Sequence, residues 1–126
     1  MNLERQVCGL DLAKRLKELG VKQESYFAWC DCDVHGEYQI VDFGAADRER
    51  RISAFSAAEL GEMLPQNRVR TVFYVGMWFV ELFPPNSPLA PAEQRMVADT
   101  EANARAKMLI YLLESRPREP PPSETF

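Results

Sequence analysis

Toward the C-terminal end of the chain, small and apolar residues recur at helical spacing. Ala102, Ala106, Leu109, Ile110 and Leu113 stand at i, i+4, i+7, i+8 and i+11, one face of a 3.6-residue period. Glu101, Asn103, Arg105 and Lys107 fill the other side, and Asp99 or Thr100 can cap the first turn. The spacing predicts a long helix over 99–114. From Met108 to Leu113 the chain is apolar all round, so this half is expected to be covered on more than one side. Ala102 and Ala106 would let the other half lie close to a sheet.

The same reading predicts a first helix over 10–19, with Leu12, Leu16 and Leu19 on one face and Gly20 as its left-handed terminator. Residues 26–33 and 37–43 are rich in strand formers and read as a hairpin turning at His35-Gly36. Ser56 and Glu59 form a capping box that starts a short helix running to about Leu64, where Pro65 stops it. Residues 68–83 are strongly strand-like, and Gly76 marks a bulge or a turn dividing them. Residues 91–98 fit either an extension of the last helix or a short strand over 94–98. The expected fold is α+β: a mostly antiparallel sheet of about four strands with an N-terminal, a short middle and a long C-terminal helix. Residues 1–115 form one domain in this reading, and the Pro-rich tail 116–126 is mobile.

Composition narrows the classes. The chain has 126 residues, a formal charge of −4, and no apolar run approaching a membrane span. The acidic balance argues against a general nucleic-acid binder. Glu4 and Arg5 sit where a secretory leader needs an apolar core. Three cysteines, an odd number, fit a reducing cytoplasm.

Four clusters are candidates for chemistry. Cys8, Cys30, Cys32 and His35 include every cysteine and the only histidine, so a zinc site is arithmetically open. Against it, C-x-C is not the C-x2-C knuckle, and Cys30 and Cys32 on a strand would share its core face. No cofactor is therefore expected, zinc being the alternative. Asp31, Asp33 and Glu37 crowd the same turn and could hold Mg2+ or Ca2+ or work as acid and base, but a solvated acidic edge is the favoured reading. Residues 12–29 invite a helix-turn-helix reading, but 23–33 carries three acids and no arginine, which would repel phosphate. Arg48, Arg50 and Arg51, with Arg68 and Arg70, are a basic set in an acidic chain. Near Tyr74 and Trp78 they suit a single strand of nucleic acid, an acidic protein or solvent.

Three blocks together resemble small uncharacterised proteins of bacteriophages and prophages. They are residues 12–25 (LAKRLKELGVKQES), 52–65 (ISAFSAAELGEMLP) and the final helix (DTEANARAKMLIYLLES), about 45 of the 126 residues. The resemblance implies an accessory product inside a bacterial host cell, and no reaction, ligand or site residue. The functional expectation comes from the sheet instead. One layer of helices covers one face, so Tyr74, Trp78 and Phe83 on the other need company. That company is the chain's own Pro-rich segment, a second copy of the chain or another protein, and the expectation rests on the last two. The expected activity is binding, without catalysis.

Overall fold

The long C-terminal helix is where the layers meet. In the computed structural model, which describes residues 2–31, 37–85 and 90–115, the elements are α1 (Leu3–Gln6), α2 (Leu10–Glu18), β1 (Phe27–Cys30), β2 (Gln39–Asp42), β3 (Arg51–Ala54), α3 (Ala57–Met63), β4 (Val69–Tyr74), β5 (Met77–Leu82), β6 (Gln94–Ala98) and α4 (Glu101–Glu114). α4 lies on β5 and β6 and is flanked by α2 and α3. Ala102, Ala104, Ala106 and Met108 are fully enclosed and Leu109 nearly so. Three alanines on one helix permit the close approach, and Met108 and Leu109 each contribute about 1.5–3 kcal/mol by leaving water.

Local signals behave as their chemistry requires. Gly20 ends α2 at φ 89°, and the Val21 N–H donates back to the Leu16 carbonyl at 3.1 Å. The Ser56 hydroxyl accepts from the Glu59 N–H, and the Glu59 carboxylate accepts from the Ser56 N–H. Thr100 caps α4 by accepting from the Asn103 N–H. Arg105 departs from its expected place on the wet side. Its Nη1 donates to the Ala57 carbonyl, its Nε to the Thr71 hydroxyl, and its Nη2 pairs with Glu101. One guanidinium thus ties α4 to α3 and β4. It passes so close to Gly61 that a Cβ there would sit 2.8 Å from Nη1.

The architecture is α+β, with antiparallel strands. The described residues hold six strands in two three-stranded sheets, ordered β2-β1-β3 and β4-β5-β6, rather than about four in one. The segment 68–83 divides at Val75-Gly76 into a tight hairpin, and 94–98 is the strand β6. Both faces of the first sheet are filled. Trp29 and Ile52 join the main core under α2 and α4, while Ala28 and Cys30 face the other way, against Val41, Phe43 and Ala46. The expected core face of Cys30 is therefore this small second core, away from the helices. Among the described residues no helix is long and apolar enough to cross a membrane. The turn at His35-Gly36 and the tail from 116 lie outside the described residues.

Candidate functional site

The second sheet has two chemically different faces. Strand partners share a face, and pairing joins Arg70 to Glu81 and Arg95, Val72 to Phe79 and Val97, and Tyr74 to Met77. These residues form the outer face. Val69, Thr71, Val80, Leu82, Met96 and Ala98 alternate with them and turn toward the helices. The outer face carries a charged row, an apolar row and a tip. Among the described residues no element lies over it: Tyr74 is 68% exposed, and Met77 and Val97 are each 36% exposed.

A shallow open groove of about 350 Å3 runs here, lined by Arg70, Val72, Tyr74, Phe79, Glu81 and Arg95. Glu81 is its electrostatic centre. Arg70 Nη2 donates to one carboxylate oxygen at 2.7 Å and Arg95 Nη2 to the other at 2.8 Å. Each arginine adds a second bond through Nε, so both forks are bidentate on a single oxygen. The Arg70 bond, chiefly, holds the Glu81 carboxyl below the usual carboxylate range against the opposing effect of its own burial, and Arg95 adds to it. Two cations on one anion leave this row with a net positive charge. The guanidiniums also lie over rings, Arg70 5.2 Å from the centroid of Phe83 and Arg95 5.9 Å from that of Phe79.

The hairpin tip is apolar on every side. Phe73 is 56% and Val75 80% exposed. Val75 occupies φ 51° and Gly76 φ 78°, the pair of left-handed positions a two-residue hairpin needs. Asparagine or glycine suits the first position, and a β-branched residue is strained there.

The sequence-predicted residues separate on this frame. Tyr74 and Phe83 border the outer face. Trp78 does not: it pairs with Phe73, their rings 5.0 Å apart, and packs against the main core. A two-residue turn exchanges the parity of the returning strand, so Trp78 faces opposite to Tyr74. Arg48, Arg50 and Arg51 belong to the other sheet. Arg48 and Arg50 are exposed in the approach to β3, while Arg51 stacks 3.8 Å over Phe43 and donates to its carbonyl. The cations on the outer face are Arg70 and Arg95. Arg95, Glu81, Val72, Phe79 and Val97 were missed. The 70–81 pairing follows once the turn is fixed at 75–76, but nothing local announces that β6 brings up Arg95 and Val97.

Of the proposed metal ligands only Cys8 and Cys30 are described, and they lie on opposite sides of the first sheet. The Cys8 backbone carbonyl accepts from the Trp29 indole at 3.0 Å, on the face of the first sheet opposite to Cys30. Burial pushes the Cys8 thiol up to about 11, which keeps it protonated and a poor ligand. Cys30 is disulfide-bonded, so the expectation of reduced cysteines does not hold for it. Cys32 and His35 lie outside the described residues, as does Asp33 of the acidic turn. Among the described residues no three His, Cys, Asp or Glu side chains gather around a common point.

No protein-family model, curated protein or solved structure matches the chain.

Proposed function

We propose that this chain is a non-enzymatic accessory protein that works by binding another protein through the outer face of the β4-β5-β6 sheet. The observation that carries this reading is the apolar row Val72–Phe79–Val97, half-buried at Val72 and Phe79 and exposed at Val97, with Tyr74 and Met77 beyond it and the cationic row Arg70–Glu81–Arg95 alongside. The face suits a partner that offers an apolar or aromatic anchor flanked by carboxylates. The anchor enters the groove, and the carboxylates meet the arginine N–H groups that Glu81 leaves free. Arginine beside tyrosine is the composition of binding centres. The likeness of three blocks to phage and prophage proteins supports a partner in the cytoplasm of a bacterial host, such as a defence component.

The test is capture of host proteins on the immobilised full chain, compared with Val97→Lys and Tyr74→Ala. Both substitutions sit on exposed positions and are expected to leave the melting temperature near the wild-type value. The reading requires a protein retained by the wild type, lost by both variants, and released by salt. An identical set of proteins on all three overturns it.

A further inference from the structure

Of the four edge strands, β3, β4 and β6 are treated differently. At β3, the Ser53 N–H donates to the Gln23 side chain at 2.9 Å, and Lys17 Nζ lies 3.4 Å from the Arg51 carbonyl. At β6, Lys107 Nζ donates to the Val97 carbonyl at 2.9 Å, and the Arg95 N–H to the Gln94 side chain at 3.2 Å. At β4 nothing comparable is present. In a two-residue hairpin the pair flanking the turn is hydrogen-bonded, so Tyr74, Val72 and Arg70 bond to β5. The N–H and C=O groups of Val69, Thr71 and Phe73 therefore point to the free edge. Among the described residues none donates to or accepts from them. The strand is six residues long, β-branched and aromatic, with no proline, lysine or bulge to blunt it.

We infer that β4 pairs antiparallel with β4 of a second copy about a two-fold axis at Val72, joining the two sheets into one of six strands. This inference does not need the outer-face partner, because its contacts are made along the strand edge, although Arg70, Val72 and Tyr74 belong to both; Phe73, which faces the helix side, tells the two apart. The register is argued from the side chains. An axis at Arg70 would set two guanidiniums against each other. An axis at Val72 sets Arg70 opposite Tyr74 of the second copy, a cation beside an aromatic face. It makes the apolar row continuous through Val97, Phe79 and Val72 into the same residues of the other copy.

On the helix side, the same register brings Phe73 of the second copy opposite Thr71. Thr71 and Val69 border an open cavity of about 380 Å3, completed by Ala58, Gly61 and Leu64 and crossed by Arg105. Phe73 has the parity of the buried face but remains 56% exposed in a single subunit. The pairing gives that ring a cavity, and by symmetry gives the cavity a ring. Taking about 150–250 Å2 for an enclosed aromatic, Phe73 and Tyr74 together offer roughly 200–300 Å2 per copy. A standard interface takes about 800 Å2 per partner, so the rings supply around a third and the strand edge and α3 rim the remainder. A micromolar dimer is the scale expected.

The experiment uses the full chain. Light scattering across the micromolar range is expected to show a monomer–dimer equilibrium in the wild type. Phe73→Lys, which puts a charge on the edge and empties the cavity, is expected to weaken it by at least about tenfold. Cross-linking gives a readout independent of folding losses. Unbonded antiparallel pairs have Cα atoms about 4.5 Å apart, within disulfide reach. Val72→Cys is therefore expected to form a covalent dimer under mild oxidation, while the wild type does not. A wild type that stays monomeric throughout, with no covalent dimer from Val72→Cys, overturns the proposal. So does a dimer that Phe73→Lys leaves intact and Val97→Lys dissolves, which would mean packing face to face. Faster linkage of Thr71→Cys than of Val72→Cys overturns the register.

Discussion

The two sheets have the same strand number and the same antiparallel pairing, yet one is finished and the other is not. In the first, the chain between β2 and β3 is long enough to turn back. It brings Phe43 and Ala46 over Ala28, and Arg51 closes the roof by stacking on Phe43. In the second, β4 and β5 are joined by only Val75 and Gly76, too few to fold over the sheet, and among the described residues only the strands' own side chains line the outer groove. Both sheets bury one face against the helices. What differs is whether the connection supplies a cover, and that difference separates a sheet filled on both faces from the one on which the proposed binding rests.

The comparison can be broken by placing one charge on each outer surface. Ala28→Lys buries an unpaired ammonium in the small core and is expected to unfold the chain, with loss of the cooperative thermal transition. Trp78→Ala comes next. Because Trp78 packs against the main core, truncation is expected to cost about 3 kcal/mol, the lower end for such changes, measured by denaturant unfolding. A change under about 0.5 kcal/mol would return Trp78 to the binding surface.

Glu81 sharpens the contrast through pH. Its folded carboxyl lies below the ordinary range because Arg70, and then Arg95, favour the charged form. The stabilisation is complete above the unfolded value of about 4.3 and is lost as pH falls through that value toward the lower folded one. Glu81→Gln is therefore expected to flatten the fall in melting temperature between about pH 5 and 3. An unchanged slope would mean the two forks are ordinary surface pairs. The smallest effect belongs to Val97→Lys, on the bare face: within about 0.5 kcal/mol of wild type in unfolding, with partner retention lost. A large destabilisation there would mean that the face is covered within the subunit.

Much of the fold was legible because its signals are short-range. Gly20 after a leucine stripe, Ser56 three residues before Glu59, and Gly76 within a run of strand formers each act within a turn of chain, and each structure formed where its chemistry asked. The candidate site was half legible. Dense apolar residues on both parities of 68–83 implied that one face would lack helices, and Tyr74 lies on it. Trp78 was misplaced because alternation is counted along one strand, while the turn at Val75-Gly76 exchanges even and odd positions on the way back. Arg105 was misplaced because helical periodicity assigns a side to a Cβ and cannot say how far a long side chain reaches.

The sequence by itself determined neither the short α1 nor the strand β3, but it did determine the three longer helices, the caps at Gly20 and Ser56, a break in the strand run at Gly76 and the excess of apolar groups over what one helical layer can hide. These rest on interactions between residues near in the chain, whose geometry is set by backbone sterics and local hydrogen bonds. Only the tertiary structure decided that the described strands divide into two sheets, that Arg70 and Arg95 close on Glu81, and that no described residue bonds to the free edge of β4. Those outcomes depend on which distant segments pair, and pairing is chosen by the burial of the whole chain around α4.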